Sequence, residues 1–218
     1  MAEPVKLTKA DIRKLFDLLN AELALGDIRG EVYLVGGAVM CLALSARDAT
    51  RDVDAWFRPA KLIREAAARV AARASVPDTW LNDAVKAWLS PRGDFDPYLE
   101  LSHLHVFVAQ PTYLLAMKCA ALRLGEEFHD LEDVRYLLRY LNITTAEEAL
   151  GVVTKYFDEA QLQPKTRLVL EELLRGLQRA RPESAAGAPT SAGPVLRPRG
   201  PRRSGPAPPA SGPRSTGP

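Results

Sequence analysis

Residues 31–57, EVYLVGGAVMCLALSARDATRDVDAWF, decide how the rest of the chain is read. Val32 to Val35 is a short apolar run that stops at Gly36-Gly37, and Ala38 to Leu44 is apolar and helix-competent. From Arg51 to Phe57 the residues alternate, with Val53, Ala55 and Phe57 on one side and Asp52, Asp54 and Trp56 on the other. The stretch therefore spells strand, glycine turn, helix, strand. A strand repeats every two residues, so Asp52 and Asp54 are expected on the same side. Two carboxylates placed together repel unless a cation lies between them. Two glycines let the backbone approach a phosphate closely and direct its N–H groups at it from a helix start. A phosphate cradle beside a carboxylate pair points to a nucleoside triphosphate and its Mg²⁺.

Working outward, Thr8 with Asp11 three residues on has the form of a capping box. Ile12, Leu15, Phe16, Leu19 and Leu23 follow at helical spacing, predicting an amphipathic helix over 9–25. Pro59 opens a second helix over about 60–73. In TWLNDAVKAWL, Trp80, Leu81, Val85 and Leu89 can share one helical face, with Asn82, Asp83 and Lys86 opposite. Residues 91–97 read as a loop and 98–109 as a strand. Pro111 begins a helix that Gly125 ends. Further helices are predicted over 127–141, over 145–157 with Thr144 or Thr145 as cap, and over 164–180 with Pro164 at its first position. From 183 onward, nine Pro and six Gly in 36 residues without an aromatic predict a disordered tail.

The formal charge of +2 hides an asymmetry. Residues 183–218 carry five Arg and one Glu, a net of +4, which leaves −2 for residues 1–182. The basic isoelectric point thus belongs to the tail, and the body argues against a large nucleic-acid surface, though not against a local basic groove. The tail arginines read either as an anion-binding arm or as plain solvated chain. Cys41 and Cys119 both sit in apolar helical contexts, as buried reduced thiols would. The chain has no run of eighteen apolar residues and no apolar signal core near its start, so a cytoplasmic protein without a membrane partner is expected.

With these residues in view, the chain resembles the nucleotidyltransferase superfamily with a minimal polymerase-β-like core. Hydrophobic-Gly-Gly, a spacer, then Asp52-Val53-Asp54 is its pattern, and Thr50 and Arg47 are similar to a bacterial branch that includes the AbiEii-type toxins. TYLLAMKCAALR and HDLEDVRYL resemble that branch's downstream helices, which carry a Lys (Lys118), an Arg (Arg123) and an Asp-x-x-Asp (Asp130, Asp133). WLNDAVK adds similarity to the DUF6036 family, placing Asn82, Asp83 and Lys86 near the nucleotide. The resemblance implies an α+β fold: a nucleotidyltransferase core with a small mixed sheet over 1–110, a helical region over 111–181, and a disordered tail over 182–218. It implies transfer of a nucleotide from an NTP to an RNA, such as tRNA, or to a protein, with an antitoxin as a further partner if the chain is the toxin of a toxin–antitoxin pair. Asp52 and Asp54 would hold one or two Mg²⁺ ions, or Mn²⁺. Gly36 and Gly37 would cradle the phosphates, and Lys118 would supply a point charge to them.

The superfamily usually carries a third carboxylate on a later strand. Residues 103–108 have none, which leaves Glu100 as the candidate, with Asp94 and Asp96 ahead of it. His129 also stands where a more basic residue is common. Other roles compete throughout. Lys118 could snorkel from a buried helix. Arg123, Asp130 and Asp133 could form an interhelical salt bridge, and Asn82, Asp83 and Lys86 a capped surface helix. His103, His105 and His129 lack metal-ligand spacing with the cysteines. Two further functions stand beside catalysis: a catalytically inactive nucleotide-binding or protein-interaction module on the same fold, and nucleic-acid binding through the arginine-rich tail.

Overall fold

A computed structural model describes residues 6–121 and 130–179. Arg123 and His129, the end of the predicted helix at Gly125 and the predicted disordered tail lie outside the described residues. The chain runs β1 (Leu7–Thr8), α1 (Lys9–Ala24), β2 (Gly30–Leu34), α2 (Gly36–Leu42), β3 (Ala49–Thr50), β4 (Val53–Arg58) and α3 (Ala60–Ala74). It continues with β5 (Leu81–Asn82), β6 (Phe95–Glu100), β7 (Leu104–Ala109), α4 (Pro111–Ala120), α5 (Asp130–Tyr140), α6 (Ala146–Val153) and α7 (Lys165–Arg179). The class is mixed α+β with a small mixed sheet.

The five-stranded sheet has the order β5-β4-β2-β7-β6. β2 lies antiparallel to β4, with Leu34 opposite Ala55, and parallel to β7, with Leu34 opposite Val108. β1 and β3 form a separate two-stranded ladder in which Leu7 faces Thr50. The pleat sorts the sheet into two faces. Val32, Leu34, Val53, Ala55, Phe57, Leu104, Val106 and Val108 make one wholly apolar, buried face. The other carries an aromatic row. Tyr33 stacks on Phe107 with centroids 4.6 Å apart and touches Trp56 at 4.8 Å and Phe95 at 5.2 Å. α1 and α3 pack on each other and on the sheet, while α4, α5, α6 and α7 gather into a helical half. One continuous apolar core joins that half to the sheet.

The helix starts follow their caps. Thr8 and Asp11 close a reciprocal capping box on α1, and Thr145 and Glu148 do the same on α6, each satisfying two otherwise orphaned N–H groups. Cys41 and Cys119 are buried and free, and burial pushes the Cys119 thiol up to about 12. No helix among the described residues is long and apolar enough to cross a membrane.

Two expectations are corrected. Residues 98–109 are not one strand but the larger part of a hairpin, β6 and β7, that reaches back to Phe95 into the predicted loop. Its turn is made by Leu101, Ser102 and His103, and the His103 N–H donates to Asn20 Oδ1 at 2.8 Å. TWLNDAVKAWL is not an α-helix. It forms two short 3₁₀ turns around β5, because Leu81 and Asn82 take up the edge of β4 in parallel.

Candidate functional site

The site is built where β2 ends and β4 begins. The Val35 N–H donates to the Asp54 carbonyl at 3.0 Å, so the chain turns into α2 directly beside Asp54. Gly36 has φ +63°, the left-handed region where a Cβ is penalised. A Cβ there would also stand 3.0 Å from Asp54 Oδ2, and one on Gly37 would stand 2.7 Å from Thr50 Oγ1 and 3.7 Å from Arg47 Nη1. The glycine bend is therefore closed down on Asp54, Thr50 and Arg47, with no room for side chains between. Thr50 is held there by the β1–β3 ladder and is buried.

Asp52 immediately precedes β4 and turns toward β5. Asn82 Nδ2 donates to Asp52 Oδ2 at 3.2 Å, while Asn82 Oδ1 accepts from the Ala84 N–H. Burial pushes the Asp52 carboxyl up from its ordinary value; the neighbouring Arg51 charge and the Asn82 hydrogen bond oppose this without cancelling it. The carboxylate is thus held in a place that disfavours its charge. The sequence pattern singled out the acid pair and Asn82 but passed over Arg51. The only signal for it was adjacency to Asp52.

The helical half reaches the bend through buried charges. Asp130 and Asp133, three apart on α5, are 3% and 2% exposed. Lys118 on α4 places Nζ 2.8 Å from Asp130 Oδ1 and 2.8 Å from Asp133 Oδ2. Arg47 Nε donates to Asp133 Oδ1 at 2.9 Å. Gly37, Arg47, Asp133, Lys118 and Asp130 thus form one chain of contacts from the bend into the core. The Lys118 ammonium is engaged by two aspartates, Asp130 and Asp133. An ion pair between α4 and α5 is made by Lys118, and Arg47 joins it from the loop after α2, while the alternative salt bridge through Arg123 lies outside the described residues.

The remaining candidates lie elsewhere. Asp83 pairs with Arg64 Nη2 at 2.7 Å, tying β5 to α3, and Lys86 is solvent-exposed. Glu100 is not brought to the acids. It pairs in register with His105, which faces Glu31, which faces Arg58, and that row is the opposite end of the sheet from Asp54. Asp96, opposite Val108, is at the near end but three strands over, and it accepts from Gln110 Nε2 at 3.0 Å. Asp94 accepts from the Tyr156 hydroxyl.

The carboxylates at this end of β4 are those of Asp52, on Asn82, and Asp54, at the Gly36 bend. Among the described residues no group of three His, Cys, Asp or Glu is placed to hold a metal. Carboxylates suit Mg²⁺, which binds through one or two of them and completes its shell with water and substrate phosphates. The upward push on Asp52 fits the same ion, because a cation would favour the charge that burial disfavours. Comparison of this chain with family models, with curated proteins and with solved structures gives no match.

Proposed function

We propose that the protein is a metal-dependent nucleotidyltransferase on a polymerase-β-like core, moving a nucleotide from an NTP to an RNA or protein hydroxyl. The observation that carries this reading is the closure of the Gly36-Gly37 bend onto Asp54 and Thr50, which leaves bare backbone facing a carboxylate. Backbone without side chains can approach a triphosphate, and its N–H groups suit an anion. Arg47, oriented by Asp133, adds a cation beside Gly37. Lys118 holds Asp133 and Asp130, and so acts as a positioning residue. Asn82 fixes the Asp52 carboxylate. Mg²⁺ held by Asp52 and Asp54 would supply positive charge to the triphosphate and the departing pyrophosphate. The acceptor hydroxyl attacks the α-phosphorus, its proton passes to solvent water, and the bond from the α-phosphorus to the β-phosphate oxygen breaks to release pyrophosphate. Positioning and electrostatics supply most of the rate in such transfers. A toxin role, with an antitoxin that blocks the site, extends the same reading.

The test is incorporation of α-labelled ATP, GTP, CTP and UTP into cell RNA and protein with Mg²⁺ or Mn²⁺. Incorporation lost in Asp52→Ala supports the proposal; none from any NTP sinks it. One observation favours a second reading, a nucleotide-binding or protein-interaction module without turnover: among the described residues no third acid joins Asp52 and Asp54, and Glu100 stands at the far end of the sheet. NTP binding by calorimetry with no product would select that reading.

A further inference from the structure

Beside Arg47 a cleft of about 210 Å³ opens against α5, walled by Arg47, Glu132, Asp133, Arg135, Tyr136 and Arg139. Asp133 is neutralised from within by Arg47 and Lys118. Arg135 and Arg139 are different. They are exposed, four residues apart on one helix stripe, and neither side chain has a hydrogen-bond or ion-pair partner among the described residues. The adjoining stripe carries Tyr136 and Tyr140, also four apart. The Tyr136 hydroxyl donates to the Leu44 carbonyl at 2.8 Å, which fixes its ring. Tyr140 stacks on that ring, with centroids 6.1 Å apart and planes 17° from parallel, and remains 50% exposed. An exposed aromatic held flat by a second ring is costly to leave in water and already ordered for a planar partner.

We infer that this face of α5 binds single-stranded polynucleotide, with Arg135 and Arg139 on successive phosphates and Tyr140 stacked on a base. Unpaired guanidiniums and a free π-face side by side are the two elements that single-strand binding requires. A duplex keeps its bases stacked inside and offers Tyr140 nothing. An acidic polypeptide would use the arginines and leave the ring idle. The mildly acidic body restricts such a surface to a local strip, and α5 supplies one that ends at the cleft beside Arg47.

The test is fluorescence anisotropy of a labelled 12-nucleotide single-stranded RNA of mixed sequence with the full chain, without NTP or divalent ion, from low to moderate salt. The tail arginines are common to every variant, so differences report α5. Arg135→Gln with Arg139→Gln is expected to weaken binding about tenfold at low salt and to lower the salt slope by about 1.4, roughly 0.7 per lost phosphate contact on a single strand. Tyr140→Ala is expected to weaken binding by about fivefold or more with the slope unchanged. Both variants binding like the parent would overturn the inference, as would no RNA binding by the parent or equal binding of a duplex of the same length. An Arg135/Arg139 effect reproduced on polyglutamate, with Tyr140→Ala silent, would overturn it in favour of an acidic protein. Because binding is read without NTP, a chain that binds RNA but transfers nothing separates failure of the catalytic reading from failure of this one.

Discussion

Glu31 and Asp52 are both partly buried acids at the ends of neighbouring strands of one sheet, yet their surroundings oppose each other. Burial works against the Glu31 carboxylate, but hydrogen bonds from Arg58 and the Tyr33 hydroxyl outweigh it and hold its pKa below the usual value. Arg58 is itself placed over the Trp56 ring, 5.8 Å from its centroid. At the other end Asp52 has an amide where Glu31 has a guanidinium, and burial wins. The contrast separates a carboxylate that holds the fold from one that the fold holds ready. An under-compensated buried charge is a functional signal, whereas a satisfied ion pair is a structural one.

The largest expected effect tests that contrast directly. Asp54→Asn should lower nucleotide incorporation by about a thousandfold, while Glu100→Gln at the far end stays within about twofold. Equal losses would erase the distinction between the two ends. Lys118→Met should cost about 3–5 kcal/mol in urea denaturation, because it leaves two buried aspartates short of a cation. Gly36→Ala should cost about 1–2 kcal/mol for its left-handed backbone and lower activity further by displacing Asp54.

The smallest effects sharpen the comparison by sign. Asp52 has a folded pKa raised above 3.8, so the folded state binds more protons there and stability falls as pH rises through the window above that value. Asp52→Asn should then raise the melting temperature at pH 7. Glu31 has a folded pKa lowered from 4.5, so its contribution is present above 4.5 and is lost as pH falls below it. Glu31→Gln should lower the melting temperature at pH 7 by the equivalent of about 0.5 kcal/mol, since Arg58 is 40% exposed and screened. Two shifts of the same sign would remove the argument.

What the sequence disclosed follows from how local each signal is. The 31–57 unit was legible because alternation, a glycine pair and an apolar run each act within a few residues. The Thr8 and Thr145 caps were legible for the same reason. The hairpin at 101–103 was not, since it has no Gly, Pro or Asn, and its backbone is held by Asn20, 83 residues away. β5 was hidden because two residues are too few for a period, and β4 alone makes them a strand. Glu100 was assigned from the order of the chain, and an antiparallel return carried it to the wrong end. Lys118, Arg123, Asp130 and Asp133 stand together in the sequence only through the family resemblance. That the charges of Lys118, Asp130 and Asp133 satisfy one another, and reach the glycine bend through Arg47, emerged only from the packing of α4 on α5.

Trp56 and Trp80 are buried, whereas Trp88 is 69% exposed on a 3₁₀ turn that packs against β4. This gives the chain a native optical probe on the turn that packs against β4. Iodide should quench one indole and spare the other two. A ligand that settles over β4 should shield that one emission, so occupancy can be followed in unlabelled protein, including in variants too slow for any turnover assay.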